Sequence, residues 1–475
     1  MWARKRIDIR LRDLGSGLMR CAFPRNRTHS QSSIRQSFAK SHPDSQTAYV
    51  GQVCFLSIRS GFDLLLQNLM DPKPKSDQEP TGPFTCENLN GQPDRGEIIF
   101  SALTIDDMPR IAQAHGFQIV AADIDAKTLW PLADEIESKI TSHTQAIVVA
   151  QLMGGLGDIE PIAKLAKKHG IILIEDCAQA YLGNHYTGSE LADVSMFSFG
   201  SIKTNTALGG AVFFVRSRNL KSKLRNNHLR WSTQSNLAFF KRILKYGFVK
   251  TISTWPVAWA IRNGFRQLGS NHDAKAASMA KGFSGGDFFR QIRQQPSSAL
   301  LGLMAKRISE FTPESIKTRS SRGELLRQTI SSFNGDILVL GSLSISPTYW
   351  VFAVLVENPK QLAIRLWDAG FDATTQSSLR PVETSVNTIS DAASCKANFE
   401  AALNSNCDTQ YESSTAQTIY DQVLFLPIDL PMPKRELIRM GKIVGQFGHP
   451  TAARAKTDKR ISPEKSLVKT AILET

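Results

Sequence analysis

The 475-residue chain contains no apolar run as long as the ~18 residues that a membrane-spanning helix requires. Its six cysteines (Cys21, Cys54, Cys86, Cys177, Cys395, Cys407) are scattered and form no CxxC pair. That excludes a disulfide framework and a thiolate zinc site, and it suits a reducing, cytoplasmic compartment. The nine histidines show no metal-ligand spacing, so no metal is expected. Acidic residues are the scarcest relative to need, with 43 against 57 Lys and Arg for a net charge of +14. The deficit is local. Residues 1–40 hold ten basic residues and only Asp8 and Asp13, while residues 218–270 hold eleven basic residues and no acid. No apolar segment follows the N-terminal charges, which argues against a secretory signal. The Ser-rich, acid-poor composition of residues 1–48 fits a transit peptide or a flexible basic arm, and the arm is the expectation.

What is present is ordinary globular composition, 41% hydrophobic and 21% charged, in a length that suggests two or three domains. Short apolar runs alternate with helical patterns over residues 53–215. Glu97–Ser101, Phe117–Ala121, Ala146–Ala150 and Ile171–Glu175 read as buried strands, with Val194–Phe199 and Gly210–Val215 after them. Asp106–His115, Leu132–Ile140 and Ile159–His169 have helical spacing between them. This alternation implies βαβ units around a mostly parallel sheet. The segmentation expected is an arm at 1–48, a large domain at 49–217, a basic aromatic helical insertion at 218–290, linking helices at 291–336, a small α/β domain at 337–449 and a polar tail at 450–475. In the small domain Tyr349–Val356 reads as a strand, and Pro359–Ala369 and Glu436–Phe447 read as helices.

Three stretches carry candidate chemistry. In IILIEDCAQA (171–180) an acidic residue closes a buried strand, at the sheet edge where open α/β folds bind ligands. Asp176 there suits the nitrogen of a pyridinium ring, whose protonated form is an electron sink; a helix cap or a salt bridge is the plainer alternative. In FSFGSIK (197–203) a strand ends, a glycine turns, and Lys203 follows Ser198 by five residues and Asp176 by 27. A lysine on a fixed loop can carry a cofactor aldehyde as a Schiff base, and Ser198 could bind a phosphate. In IRSGFDLLLQNLM (58–70) a Ser-Gly turn opens an amphipathic helix, whose N-terminus is either a phosphate site or simply capped by Ser60.

In order, GEIIFSALTIDDMPRIAQAHGFQIVAADID, Thr144–Gly154, HGIILIEDCAQA and ADVSMFSFGSIK resemble the DegT/StrS family of pyridoxal-phosphate (PLP) sugar aminotransferases. The resemblance spans about Cys54–Val215 and resumes over about Gln291–Val444. It implies an α/β chain of PLP-dependent transferase fold type I, with a large domain around a mostly parallel sheet and a smaller C-terminal α/β domain. It also implies that Lys203 binds PLP and moves the proton, and that Asp176 pairs with the ring nitrogen. Gln179 would lie beside the ring, and Ser198 with the backbone of Gly61 and Phe62 would hold the phosphate. Ile105 stands where the family has an aromatic residue over the ring, and Phe62 where it has a threonine. Gln291 and Arg293 stand where it sends an Asn and an Arg into the partner's site, so a homodimer is implied. Family members that are dehydratases carry His in place of the lysine; Lys203 favours amino transfer, from glutamate to a nucleotide-linked keto-sugar, in surface polysaccharide or aminosugar synthesis. The alternatives are another PLP reaction, a lyase or a non-sugar transferase, and a non-catalytic regulatory scaffold.

Residues 218–270 also hold eight aromatics, and Leu237–Val249 and Pro256–Phe265 look helical and amphipathic. Basic residues interleaved with Trp and Phe suit a helix lying in an anionic membrane surface. Packing on the protein's own core or across a dimer, and binding of an anionic nucleotide-sugar, account for the same composition. Nucleic acid is not expected.

Overall fold

The computed structural model describes Trp2 and residues 7–39, 51–69, 95–183, 186–252, 287–384, 414–428 and 431–451. Its centre is a seven-stranded sheet of β1 (Gly51–Phe55), β2 (Glu97–Ser101), β3 (Gln118–Ala122), β4 (Thr144–Ala150), β5 (Ile172–Asp176), β6 (Val194–Ser198) and β7 (Ala211–Val215). The order is β1-β7-β6-β5-β4-β2-β3. Pairing is parallel from β6 to β3 and antiparallel at β6–β7 and β7–β1. Every residue of β6 and β7 is buried, as continuous apolar runs require when both sheet faces are covered. The parallel strands end together, so Ala150, Asp176 and Met196 stand side by side at one edge.

Two helices, α1 (Leu11–Ala22) and α2 (Arg27–Ala39), precede the sheet; α3 (Ile58–Asn68) follows β1, and α4 (Asn236–Ile252) and α5 (Ser298–Ser309) follow β7. The first pair corrects the expectation of a flexible arm. Leu14, Ile34 and Phe38 are buried in one core with Leu300, Leu303 and Met304 of α5, and Phe38 meets Phe214 of β7 edge-on at 5.0 Å. The basic charge that suggested solvation is partly neutralised. Buried Asp13 takes Arg307 at 2.8 Å, Lys306 at 3.3 Å and Arg10 at 3.0 Å. In α4, Phe239, Ile243 and Tyr246 turn into the same core, and a Cβ on Gly17 of α1 would come within 2.9 Å of Ile243. Pro256–Phe265 lies outside the described residues.

The C-terminal part builds a small antiparallel sheet, β8 (Leu338–Val339), β9 (Phe352–Leu355) and β10 (Val423–Leu426), packed under α6 (Glu314–Phe333) and α7 (Lys434–Phe447). The strand expected over Tyr349–Val356 begins only at Phe352, because Thr348–Trp350 is a loop fastened elsewhere. Thr348 donates from N (3.1 Å) and Oγ1 (2.7 Å) to the Gly154 carbonyl at the end of β4. A second link pairs Leu379–Pro381 with Leu103–Ile105. Together they close the small unit over the carboxyl edge of the large sheet.

Candidate active site

Asp176 is the last residue of β5 and is buried. The strand end is held by its neighbour Glu175, a fully buried carboxylate that accepts from Gln151 Nε2 (2.9 Å), Ser195 Oγ (2.9 Å), the Ser189 N–H (2.8 Å) and Tyr186. Alternation along the strand puts Glu175 and Asp176 on opposite faces. Asp176 Oδ1 accepts the Ala178 N–H at 2.9 Å, while Oδ2 has no hydrogen-bond partner among the described residues. Burial pushes the Asp176 carboxyl above its ordinary range; the Ala178 N–H and the charges of Lys203 and Arg59 pull it back. A cationic ring N–H against Oδ2 would complete this site, so the residue fits a pyridinium partner.

Lys203 lies on the loop after β6. A Cβ on Gly200 would fall 3.4 Å from Ser198 Oγ and 3.7 Å from Lys203 Cγ, so the glycine separates the two side chains and touches both. Burial lowers the Lys203 ammonium to about 8, against the raising effect of Asp176 and with a further lowering by Arg59. Its Nζ sits 4.8 Å from the centroid of the Trp350 ring. Four of the five described non-glycine residues with positive φ flank this point: Met153 and Tyr349 on either side of the Thr348–Gly154 link, and Asn205 and Leu208 in the lysine loop. Such backbone is costly and collects at functional sites.

Gln179 is half-buried, and its Oε1 accepts the Met153 N–H at 3.0 Å. That places it beside the same turn. Ile105 is half-buried where the Leu103–Ile105 strand ends. The helix N-terminus differs from expectation. Ser57, not Ser60, caps α3, its Oγ accepting the Ser60 N–H (3.2 Å) and lying 2.8 Å from Ser60 Oγ. The Gly61 N–H donates to the Ser57 carbonyl inside the helix (3.2 Å), and a Cβ on Gly61 would strike Phe213 and Phe55. The Phe62 ring is wholly buried, edge-on to Phe100 at 6.3 Å. The Gly61 N–H is thus engaged within the helix, and the Phe62 ring belongs to the core.

Arg293 forms a two-pronged ion pair with buried Asp63 of its own chain, at 2.9 Å from both Nε and Nη2, and His115 Nε2 approaches the same carboxylate at 2.9 Å. The charge is already neutralised within the subunit. Gln291 is half-buried in the short helix Phe288–Ile292, which Arg293 follows.

Two residues that sequence reasoning missed complete the set. Arg59, half-buried in the first turn of α3, pairs with Asp107 and acts electrostatically on both Asp176 and Lys203. It stands next to the Ser-Gly pair already singled out, so its position was the available signal. Trp350 reaches the site from the small domain, and nothing in its local sequence marks it.

Residues 88–244 match the DegT/DnrJ/EryC1/StrS aminotransferase family. The fold is shared with solved structures of low identity. PseC of Helicobacter pylori, an aminotransferase in the biosynthesis of pseudoaminic acid, is 15% identical with a TM-score of 0.60, over 94% of this chain and 99% of that one. The sugar aminotransferase CalS13 of Micromonospora echinospora is 14% identical with a TM-score of 0.59, over 94% and 100%. The GDP-4-keto-6-deoxy-D-mannose-3-dehydratase of E. coli, solved with hydrated PLP, is 13% identical with a TM-score of 0.58, over 93% and 99%. The fold of these structures is thus shared over nearly the whole chain, and the family match lies within it over residues 88–244.

Proposed function

We propose that the chain is a PLP-dependent aminotransferase that moves an amino group, from glutamate, to a nucleotide-linked keto-sugar. The observation that carries this reading is a half-buried lysine of depressed basicity, electrostatically coupled to a buried carboxylate with one open oxygen, both at the carboxyl edge of the central sheet. The family match supports amino transfer. CalS13, named a sugar aminotransferase, and DesI, solved with its TDP-sugar product, support the substrate class.

When bound, PLP supplies an aldehyde and a protonated ring that draws electrons from the reacting carbon. Asp176 would hold the ring nitrogen and keep it cationic. Lys203, neutral in a large fraction near pH 8, would take a proton at Nζ from the donor's α-carbon and return one to the carbon being aminated. Ser57, Ser60, Ser198 and the first turn of α3 would take the phosphate. Arg59 adds positive charge at the same end.

Two finer readings accompany this one. The enzyme works as a homodimer, as two-subunit sites of this fold require, with Gln291 in the interface region. Its basic segment 218–270 makes peripheral contact with an anionic membrane at the cytoplasmic face. No helix among the described residues is long and apolar enough to cross a membrane.

The test is purified enzyme loaded with PLP. Glutamate should bleach the near-visible band with release of 2-oxoglutarate, and a panel of nucleotide-linked keto-sugars should restore it. Bleaching without an oxo-acid product would mean a lyase; no PLP uptake at all would overturn the reading.

A further inference from the structure

The large exposed apolar side chains are unevenly placed. Leu11, Met19 and Phe23 lie on or just after α1, and Leu237, Leu244 and Phe248 lie on α4, all 50–71% exposed. The spacing is helical on both. On α4 the exposed positions 237, 241, 244, 245 and 248 fall on one face, opposite the buried Phe239, Ile243 and Tyr246. On α1, Leu11, Gly15, Met19 and Phe23 face away from buried Asp13, Leu14 and Gly17. The helices pack directly on each other, with Gly17 against Ile243 and Gly247 against Leu14. Both outer faces therefore belong to one two-helix layer. Lys241 and Lys245 stand among the apolar residues of α4, and the described segment 218–252 contains no acid.

We propose that α1 and α4 together form a single docking surface for an anionic lipid bilayer, with the apolar side chains inserted between headgroups and Lys241 and Lys245 at the phosphate level. This rests on the reading of 218–270 as a membrane-contacting segment and extends it to the N-terminal helix. Charge selects the occupant. A second copy docking this face on itself across a two-fold axis would bring each lysine cluster against its twin, with no acid on α4 to compensate. A bilayer rich in acidic headgroups supplies the missing negative charge over the whole area, and apolar and basic residues both gain from the contact.

The test is flotation of the PLP-loaded full chain with vesicles of pure phosphatidylcholine or with a third phosphatidylglycerol. Wild type should float with the anionic vesicles only, and less at high salt. Leu244→Glu with Phe248→Glu should abolish flotation, and Met19→Glu with Phe23→Glu should reduce it at least tenfold, both with unchanged PLP absorbance. If the α1 pair floats like wild type while the α4 pair does not, the segment binds lipid but the two-helix surface is wrong. If wild type floats with neither vesicle, both readings fall. If the α4 variant changes sedimentation from dimer to monomer, the face is a subunit interface and the proposal is overturned.

Discussion

Lys203 Nζ lies 4.8 Å from the centre of the Trp350 ring, a contact made across the join between the large sheet and the small domain. Two effects on the amine oppose each other. Burial favours the neutral form and brings the group to about 8, whereas an aromatic face favours the cation by about 1–2 kcal/mol when water is excluded. Removing the ring should therefore lower the lysine further, by about one pH unit. Only the neutral amine attacks an aldehyde. The rate at which apo-protein takes up PLP should rise with pH and level off above about 8 in wild type, and the inflection should move down in Trp350→Leu and hardly at all in Trp350→Phe. Superimposable wild-type and Trp350→Leu profiles would remove the ring from this role.

Lys203→Ala should lose both the near-visible band and amino transfer, since no other lysine is placed at the carboxyl edge beside Asp176 among the described residues. Turnover near the wild-type rate would refute the assignment.

Asp176→Asn keeps the shape of the side chain but removes the charge opposite the ring nitrogen. A loss of about 3–5 kcal/mol in transition-state stabilisation is expected, at ~1.4 kcal/mol per tenfold in kcat. PLP should still bind, because the phosphate end is held separately by the α3 turn and Ser198. Full activity would take Asp176 out of the mechanism.

How far the sequence alone discloses this site depends on whether a residue's neighbours in space are also its neighbours in the chain. Asp176 and Lys203 each end or follow an apolar strand, and their strands are adjacent in the sheet, so both were legible. Trp350 was not, because the link between Thr348 and Gly154 that delivers it spans 194 residues. The Ser-Gly turn was found, but the cap is Ser57 rather than Ser60, and the Gly61 N–H is engaged by the Ser57 carbonyl. The helices at 11–39 were hidden by their polarity. Each buries only a narrow stripe, and the partner that makes the stripe worth burying, α5, begins at residue 298.

Arg293 illustrates the same point with a consequence for assembly. Its guanidinium is held by Asp63 of its own chain, so Arg293→Ala should leave the dimer intact by sedimentation. It should lower thermal stability instead, because Asp63 is fully buried and would keep only His115 and Gln67. Monomers on mutation, with unchanged stability, would restore the cross-subunit reading.

The last prediction concerns the N-terminal helices and acid. Burial alone would raise Asp13, but the Arg10 hydrogen bonds and the charges of Arg307 and Lys306 outweigh it and hold the carboxyl at about 2. In an unfolded chain an aspartate titrates near ~3.9. The folded value is the lower one, so the carboxylate stabilises the fold fully above the unfolded value, and that contribution disappears as pH falls from about 4 toward about 2. Asp13→Asn should remove it at neutral pH as well, leaving buried Arg307 with only the longer, more exposed contact to Asp8 at 3.5 Å. Limited proteolysis at pH 7 should then cut within residues 7–39 in the variant and spare them in wild type, while wild type should become sensitive only below about pH 4. Equal resistance of the two proteins at pH 7 would show that the apolar stripe of Leu14, Ile34 and Phe38 holds the helices without the ion cluster.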